Sequence, residues 1–260
     1  MSPNGIFDLS GKTAVIIGGG SGIGEAVAVG AAKQGAGIVV LDANEAAAQA
    51  VAGRIPGADA AALDIGDAGS VNAALDAIAR DRGRIDIVIC TASINVRKPI
   101  LQYTDEDFDR VVAVNLKGSF NVLQAAGRIM TAQRGGSIVI FSSIRAQVVE
   151  PGQSVYAMTK AGIVQLVRAG AAEFGPFNVR VNALAPGVVE TPLTAPIKAD
   201  AAWHAAYASK SALKRWAQAD EMVGPTLFLV SDAASYVTGT VLFADGGWTA
   251  IDGRYTPPGM

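Results

Sequence analysis

The chain has 260 residues, half of them hydrophobic and 17% charged, with a formal net charge of -2. That length can bury a sizeable core, and the basic and acidic residues are interspersed without a Lys/Arg stripe, so no electrostatic footprint for nucleic acid is present. With one cysteine, Cys90, and one histidine, His204, disulfide frameworks and His/Cys metal clusters are excluded by counting, and no metal is expected.

The opening residues 1–12 are polar and turn-forming with no apolar h-region, so no secretory signal is expected and the cytoplasm is the expected compartment. No apolar run approaches the roughly twenty residues a membrane span needs, so no membrane partner is expected. The first predicted strand, 13–17, runs straight into Gly18-Gly19-Gly20-Ser21-Gly22-Ile23-Gly24 and then a helix over 23–34. Glycines let a backbone approach a pyrophosphate closely, and a helix N-terminus offers free N–H groups with a positive partial charge. This is the expected phosphate cradle. The second strand, 37–41, ends at Asp42, whose carboxylate can accept bonds from an adenosine ribose and repels a 2'-phosphate; no Arg or Lys sits in the glycine loop. NAD is therefore expected over NADP.

A helix over 45–54, a strand over 60–63 and a helix over 70–82 follow, then a strand over 85–90 that ends on the buried thiol expected of Cys90. Next come a long helix over 105–133, a strand over 137–141 and a helix over 155–174, followed by strand 179–184, helix 221–229 and strand 241–244. This alternation predicts a single α/β domain over 1–260: a doubly wound parallel sheet of about seven strands with helices on both faces and ligands at the strands' carboxyl ends. The stretch 186–216 is long for a connection, and residues 187–216 read as a substrate lid with Trp203, Tyr207 and Trp216 as lining candidates. His204 beside Trp203 reads as a packing residue. The tail 248–260 is expected to be irregular and to pack on a neighbouring subunit.

Tyr156 and Lys160 are spaced i, i+4 at the start of a predicted helix, so phenol and ammonium share a face, thirteen residues beyond Ser143. A free tyrosine titrates near 10, and bringing it down by roughly three units takes about 4 kcal/mol of preferential phenolate stabilisation. A cation at this spacing can supply much of that, and a base near neutrality is what carbinol oxidation demands.

On these motifs the chain resembles the short-chain dehydrogenase/reductase family over nearly its whole length. The family's glycine motif falls on Gly18, Gly22 and Gly24, and its catalytic tetrad on Asn115, Ser143, Tyr156 and Lys160. The resemblance implies a Rossmann-type fold with Asp64 near the adenine and Pro186-Gly187 with Thr191 at the nicotinamide carboxamide. Ser21, Ile23, Ile65, Thr91, Ala92 and Val189 complete the implied cofactor contacts, and Asp245-Gly246-Gly247 matches the closing signature. The implied mechanism has Ser143 hydrogen-bond the reacting oxygen and Tyr156 take its proton. Lys160 holds the tyrosinate and the nicotinamide ribose, while Asn115 orders a water leading from Lys160 to solvent. Long helices of this kind imply a homotetramer. Two departures stand out, Ile17 where the family usually has Thr and Cys90-Thr91-Ala92-Ser93 where it has Asn-Asn-Ala-Gly, and both place loop geometry in question.

Arg97, Lys98 and Arg145 fall near the expected mouth, either as solvated loop charges or as clamps for a small anionic substrate, with Trp203 and Tyr207 as further substrate contacts. The Asn95-Val96-Arg97-Lys98-Pro99 stretch is similar to that of gluconate 5-dehydrogenases and related sugar-acid members. It points to the secondary hydroxyl of a small polyol or sugar acid. The alternatives are a 3-oxoacyl-thioester reductase and, more remotely, a non-catalytic dinucleotide-binding scaffold.

Overall fold

The computed structural model describes residues 5–252. Seven parallel strands form one sheet in the order β3-β2-β1-β4-β5-β6-β7: β1 Thr13–Ile17, β2 Gly37–Asp42, β3 Asp59–Ala62, β4 Ile87–Cys90, β5 Gly136–Phe141, β6 Val179–Pro186 and β7 Val241–Ala244. The helices are α1 Gly22–Lys33, α2 Glu45–Ala52, α3 Ala68–Arg82, α4 Asp105–Val112, α5 Ser119–Gln133, α6 Ser154–Phe174, α7 Ala195–Lys198, α8 Ala201–Lys210 and α9 Val223–Val230. The predicted α/β architecture is the observed one.

Side-chain alternation along the strands builds two cores. In β1, Val15 and Ile17 pack with Val71 and Leu75 of α3, Val122 of α5 and Val167 of α6. Ala14 and Ile16 face the other way, onto Val27 of α1, Val51 of α2 and Leu229 of α9. A strand buried on both faces must be apolar at every position, which is why β1 reads as a continuous Thr-Ala-Val-Ile-Ile run. The chain starts at β1, winds out to β3, then crosses to β4 on β1's other side. Neighbouring strands thus leave in opposite directions, and a crevice opens at the carboxyl ends of Ile17 and Cys90, which are paired in register.

The predicted helix over 105–133 is broken. Residues Ala113–Gly118 form a π-helical segment between α4 and α5. The Ser119 hydroxyl donates to the Asn115 carbonyl at 2.6 Å inside this widened turn. Gly118 lets it pack on Ile65, since a Cβ there would lie 2.5 Å from that side chain. The predicted last helix begins as a 3-10 turn, Ala219–Met222, before α9. Pro225 falls in the first turn of α9, where its missing N–H removes no helical bond. The long insertion folds into α7 and α8, with Asp200 capping α8 by accepting from the Trp203 N–H at 3.0 Å.

Trp248, expected to reach a neighbouring subunit, is buried within its own chain in a cluster with Ile144, Ile197, Tyr207 and Trp216. The rest of that tail, residues 253–260, lies outside the described residues. No helix among the described residues is long and apolar enough to cross a membrane.

Candidate active site

The glycine turn is built by close backbone approach. Gly18 takes φ +79°, and a Cβ on Gly24 would sit 2.1 Å from the Gly18 carbonyl oxygen, so an alanine at 24 cannot be seated without moving the cradle. Thr91, one of the two departures noted above, staples this turn to the end of β4: its hydroxyl donates to the Gly18 carbonyl at 2.9 Å, with the Ile17 carbonyl at 3.2 Å. Ser21 precedes α1 and lines the cleft without using its hydroxyl as a cap. Asp42 closes the loop from the other side, accepting from the Gly20 and Asn44 N–H groups, each at 2.9 Å.

These elements enclose a cleft of about 420 Å³, and apart from Gly19 and Gly20 every residue named above for the cofactor lines it, from Gly18 to Thr191. Ser143, Tyr156 and Lys160 line its inner end. Among the described lining residues Lys160 is the one cation, and none stands at the Asp42 end.

Lys160 is 2% exposed. Its ammonium donates to the Phe141 carbonyl at 3.0 Å and lies 5.4 Å from the centre of the Tyr156 ring. Ser142, at the end of β5, donates to the Lys160 backbone carbonyl at 2.9 Å, seating α6 on the sheet. Burial pushes the Lys160 ammonium down to about 8. Burial also raises the Tyr156 phenol, against the lowering influence of hydrogen bonds from Ser143 and Ser93 and the charges of Arg145 and Arg97. Burial thus opposes the lowering of the Tyr156 phenol that the sequence leads one to expect.

Asn115 is fully buried in the π segment, behind the cleft rather than in its lining. Its amide accepts from the Ile94 N–H and donates to the Ile94 carbonyl, both at 2.8 Å. It also accepts from Ser93 at 3.2 Å and donates to Thr159 at 3.3 Å. All four bonds an amide side chain can make are thus within the protein, and any water at Asn115 must be held by its backbone.

Arg97 and Arg145 do meet, through a residue the sequence reading missed. Glu150 pairs with Arg97 at 2.6 Å and with Arg145, which is 6% exposed. Tyr207 of α8 donates to the same carboxylate at 2.6 Å. Burial alone would raise Glu150, but the Tyr207 and Arg97 bonds and both arginine charges hold it below the usual carboxylate range. Arg145 lies 5.5 Å from the Trp248 ring centre, and Arg97 lies 5.1 Å from that of Trp203. The available signal was that Glu150 is the only charged residue besides Arg145 between Ser143 and Tyr156. Lys98 instead pairs with Asp107 of α4 and lines neither the cleft nor its mouth. His204 stacks on Trp216 at 4.8 Å, and its carbonyl accepts from the Trp216 indole at 3.0 Å, so both act in packing.

Residues 18–249 match the family model described as enoyl-(acyl carrier protein) reductase. The chain belongs to the short-chain dehydrogenase/reductase family. It is accordingly a dinucleotide-dependent oxidoreductase. Within this family it is 37% identical to the 3-oxoacyl-[acyl-carrier-protein] reductase FabG of Thermotoga maritima, over 92% of this chain and 98% of that one. It is 38% identical to the D-threitol dehydrogenase of Mycolicibacterium smegmatis, over 94% and 95%. The crystal structure of a gluconate 5-dehydrogenase from Burkholderia cenocepacia in complex with NADP and tartrate superimposes with a TM-score of 0.93 at 36% identity, covering 96% of this chain and 100% of that one.

Holding Lys160 near 8 against a free-lysine value near 10.4 costs about 3 kcal/mol of folding stability. Because the folded-state value is the lower one, this cost is full below about pH 8 and fades as pH rises towards 10.4. Lys160→Met is thus expected to raise the denaturation midpoint at pH 7 and to lose that advantage above pH 10. Denaturant melts of both proteins at the two pH values check this.

Proposed function

We propose that this enzyme transfers a hydride between NAD and a secondary alcohol or ketone of a small polyol or sugar acid. The observation that carries the substrate class is the arginine pair beside Ser143 and Tyr156. Two guanidinium groups, that of Arg145 buried and that of Arg97 partly exposed, meet one Glu150 carboxylate, leaving one positive charge uncompensated there. A planar guanidinium held in that setting recognises a substrate carboxylate in two-point fashion. The names of the gluconate 5-dehydrogenase and D-threitol dehydrogenase relatives agree with this class. NAD is supported by the Asp42 carboxylate where a 2'-phosphate would enter and by the lack of any lining cation there among the described residues. The gluconate 5-dehydrogenase structure holds NADP, so the preference is a quantity to measure.

The residues fit a dinucleotide: the cradle a Cβ on Gly24 would fill takes the pyrophosphate at the N-terminus of α1, and Asp42 takes the adenosine ribose. A bound nicotinamide supplies the hydride acceptor for oxidation and the donor for reduction. Ser143 accepts at its oxygen from the Arg145 N–H at 3.1 Å, and its own proton turns from Tyr156 to the substrate oxygen. Tyr156 then takes the hydroxyl proton. Lys160 supplies positive charge behind the ring and a donor for the nicotinamide ribose, and Asn115 holds the Ile94 segment that walls the site. Oxidation needs the phenolate, so its rate should rise with pH through the Tyr156 titration while reduction falls.

The second reading, a 3-oxoacyl-thioester reductase, is favoured by the likeness to FabG. Both readings are tested by oxidation of sugar acids, neutral polyols and simple secondary alcohols, and by reduction of acetoacetyl thioester, each with NAD(H) and NADP(H). We expect NAD-preferring turnover of acids, a loss of about tenfold to a hundredfold on acids in Arg97→Ala and Arg145→Ala, and near-complete loss in Tyr156→Phe. Thioester reduction indifferent to both arginines would instead establish the second reading.

The segment 187–216 is proposed as a lid, latched where Tyr207 of α8 meets Glu150. Limited proteolysis within it should slow when dinucleotide and substrate are both present; an unchanged rate would discard the lid. A homotetramer is supported by exposed Phe108, Phe120 and Met158 on α4, α5 and α6. Light scattering should return four chain masses, and a monomer would exclude it.

A further inference from the structure

Beside Ser143 and Tyr156 lies a second, smaller cavity of about 70 Å³, lined also by Asn95, Gln153 and Arg145. Gln153 is 2% exposed and stands at the start of α6, yet its side chain does not cap the helix. Its amide carbonyl instead accepts from the Asn95 amide nitrogen at 2.9 Å. That single bond leaves Asn95 Oδ1 and Gln153 Nε2 buried with no partner. Buried polar atoms are nearly always paired, so two orphans side by side in the wall of a substrate cavity call for a ligand. Turning both amides over exchanges their roles, and the pair still offers one donor and one acceptor.

One donor beside one acceptor matches a hydroxyl, which accepts and donates at the same oxygen. It does not match a carboxylate, which only accepts, or a methylene, which does neither. The cavity has room for about two or three heavy atoms, and it touches the residues between which the reacting carbon is placed. We infer that Asn95 and Gln153 form a specificity subsite for a hydroxyl on the carbon next to the one oxidised, so that the enzyme reads a vicinal diol or an α-hydroxyketone. This deepens the proposed function and rests on its placement of the reacting carbon between Ser143 and Tyr156. Within it, the arginines read the acid end of the substrate and the amide pair reads the neighbouring hydroxyl.

The test uses small probes without a carboxylate: butane-2,3-diol against butan-2-ol in oxidation, and 3-hydroxybutan-2-one against butan-2-one in reduction. In the wild-type enzyme the ratio of kcat/KM values should favour the hydroxylated member by about a hundredfold. In Gln153→Met the ratio should fall to near one. Asn95→Ser gives an independent reading should Gln153→Met fail to fold. A wild-type enzyme indifferent to the extra hydroxyl, including one that turns over neither member, overturns the proposal, as does a ratio that survives both substitutions. The sugar-acid reading fails separately, through arginine variants that leave acid turnover intact, and the base assignment fails through an active Tyr156→Phe.

Discussion

The Lys160 ammonium is buried against the end of β5, and the inner half of the site depends on that placement. An ammonium without water needs fixed oxygen around it, and here the Phe141 carbonyl supplies it while Ser142 anchors the Lys160 backbone. The same contacts bring the first turn of α6 onto the sheet edge, which carries Tyr156 into the cleft and Ser143 across from it. The strained element of the site is thus a charge rather than a backbone angle. Burial acts on both partners in the same sense, favouring the neutral form of lysine and of tyrosine alike.

A second electrostatic unit sits opposite. Glu150 gathers Arg97, Arg145 and Tyr207, residues from three separate parts of the chain, into one hydrogen-bonded knot. The backbone tie from the Lys98 N–H to the Gly152 carbonyl, at 3.1 Å, joins the loops that bear Arg97 and Glu150. The knot joins the cleft wall to α8, so the same charges hold the insertion in place.

The fold and the cofactor cleft were legible because each rests on local rules. Continuous Val/Ile runs imply strands buried on both faces, and a glycine turn between strand and helix leaves few other uses. Strands 13–17 and 241–244 agree with the structure to the residue. What was hidden depends on contacts distant in sequence. Glu150 is unremarkable until Arg97, fifty-three residues away, is seen to reach it. Asn95 and Gln153, fifty-eight apart, are ordinary polar residues until they are found sharing one bond and leaving two atoms over. The break in the helix over 105–133 was invisible for another reason: a π turn keeps nearly the same hydrophobic periodicity on either side and announces itself only through hydrogen bonds.

That turn also sets an angular relation between two parts of the molecule. An α-helix advances about 100° per residue, and a π turn fits one residue more into a single revolution. The faces of α4 and α5 are thereby offset by about that angle from what one continuous helix would give. α5 can then present Val122 and Ala126 to the sheet while α4 turns Val111 towards Val155 at the base of α6. Removing one residue anywhere in Ala113–Gly118 would restore a regular helix at the expense of this rotation. Either Val111 or Val122 would lose its core, and Asn115 would swing away from Ile94. The segment works as a phase shifter, and its length in residues is as much a part of the site as any side chain in it.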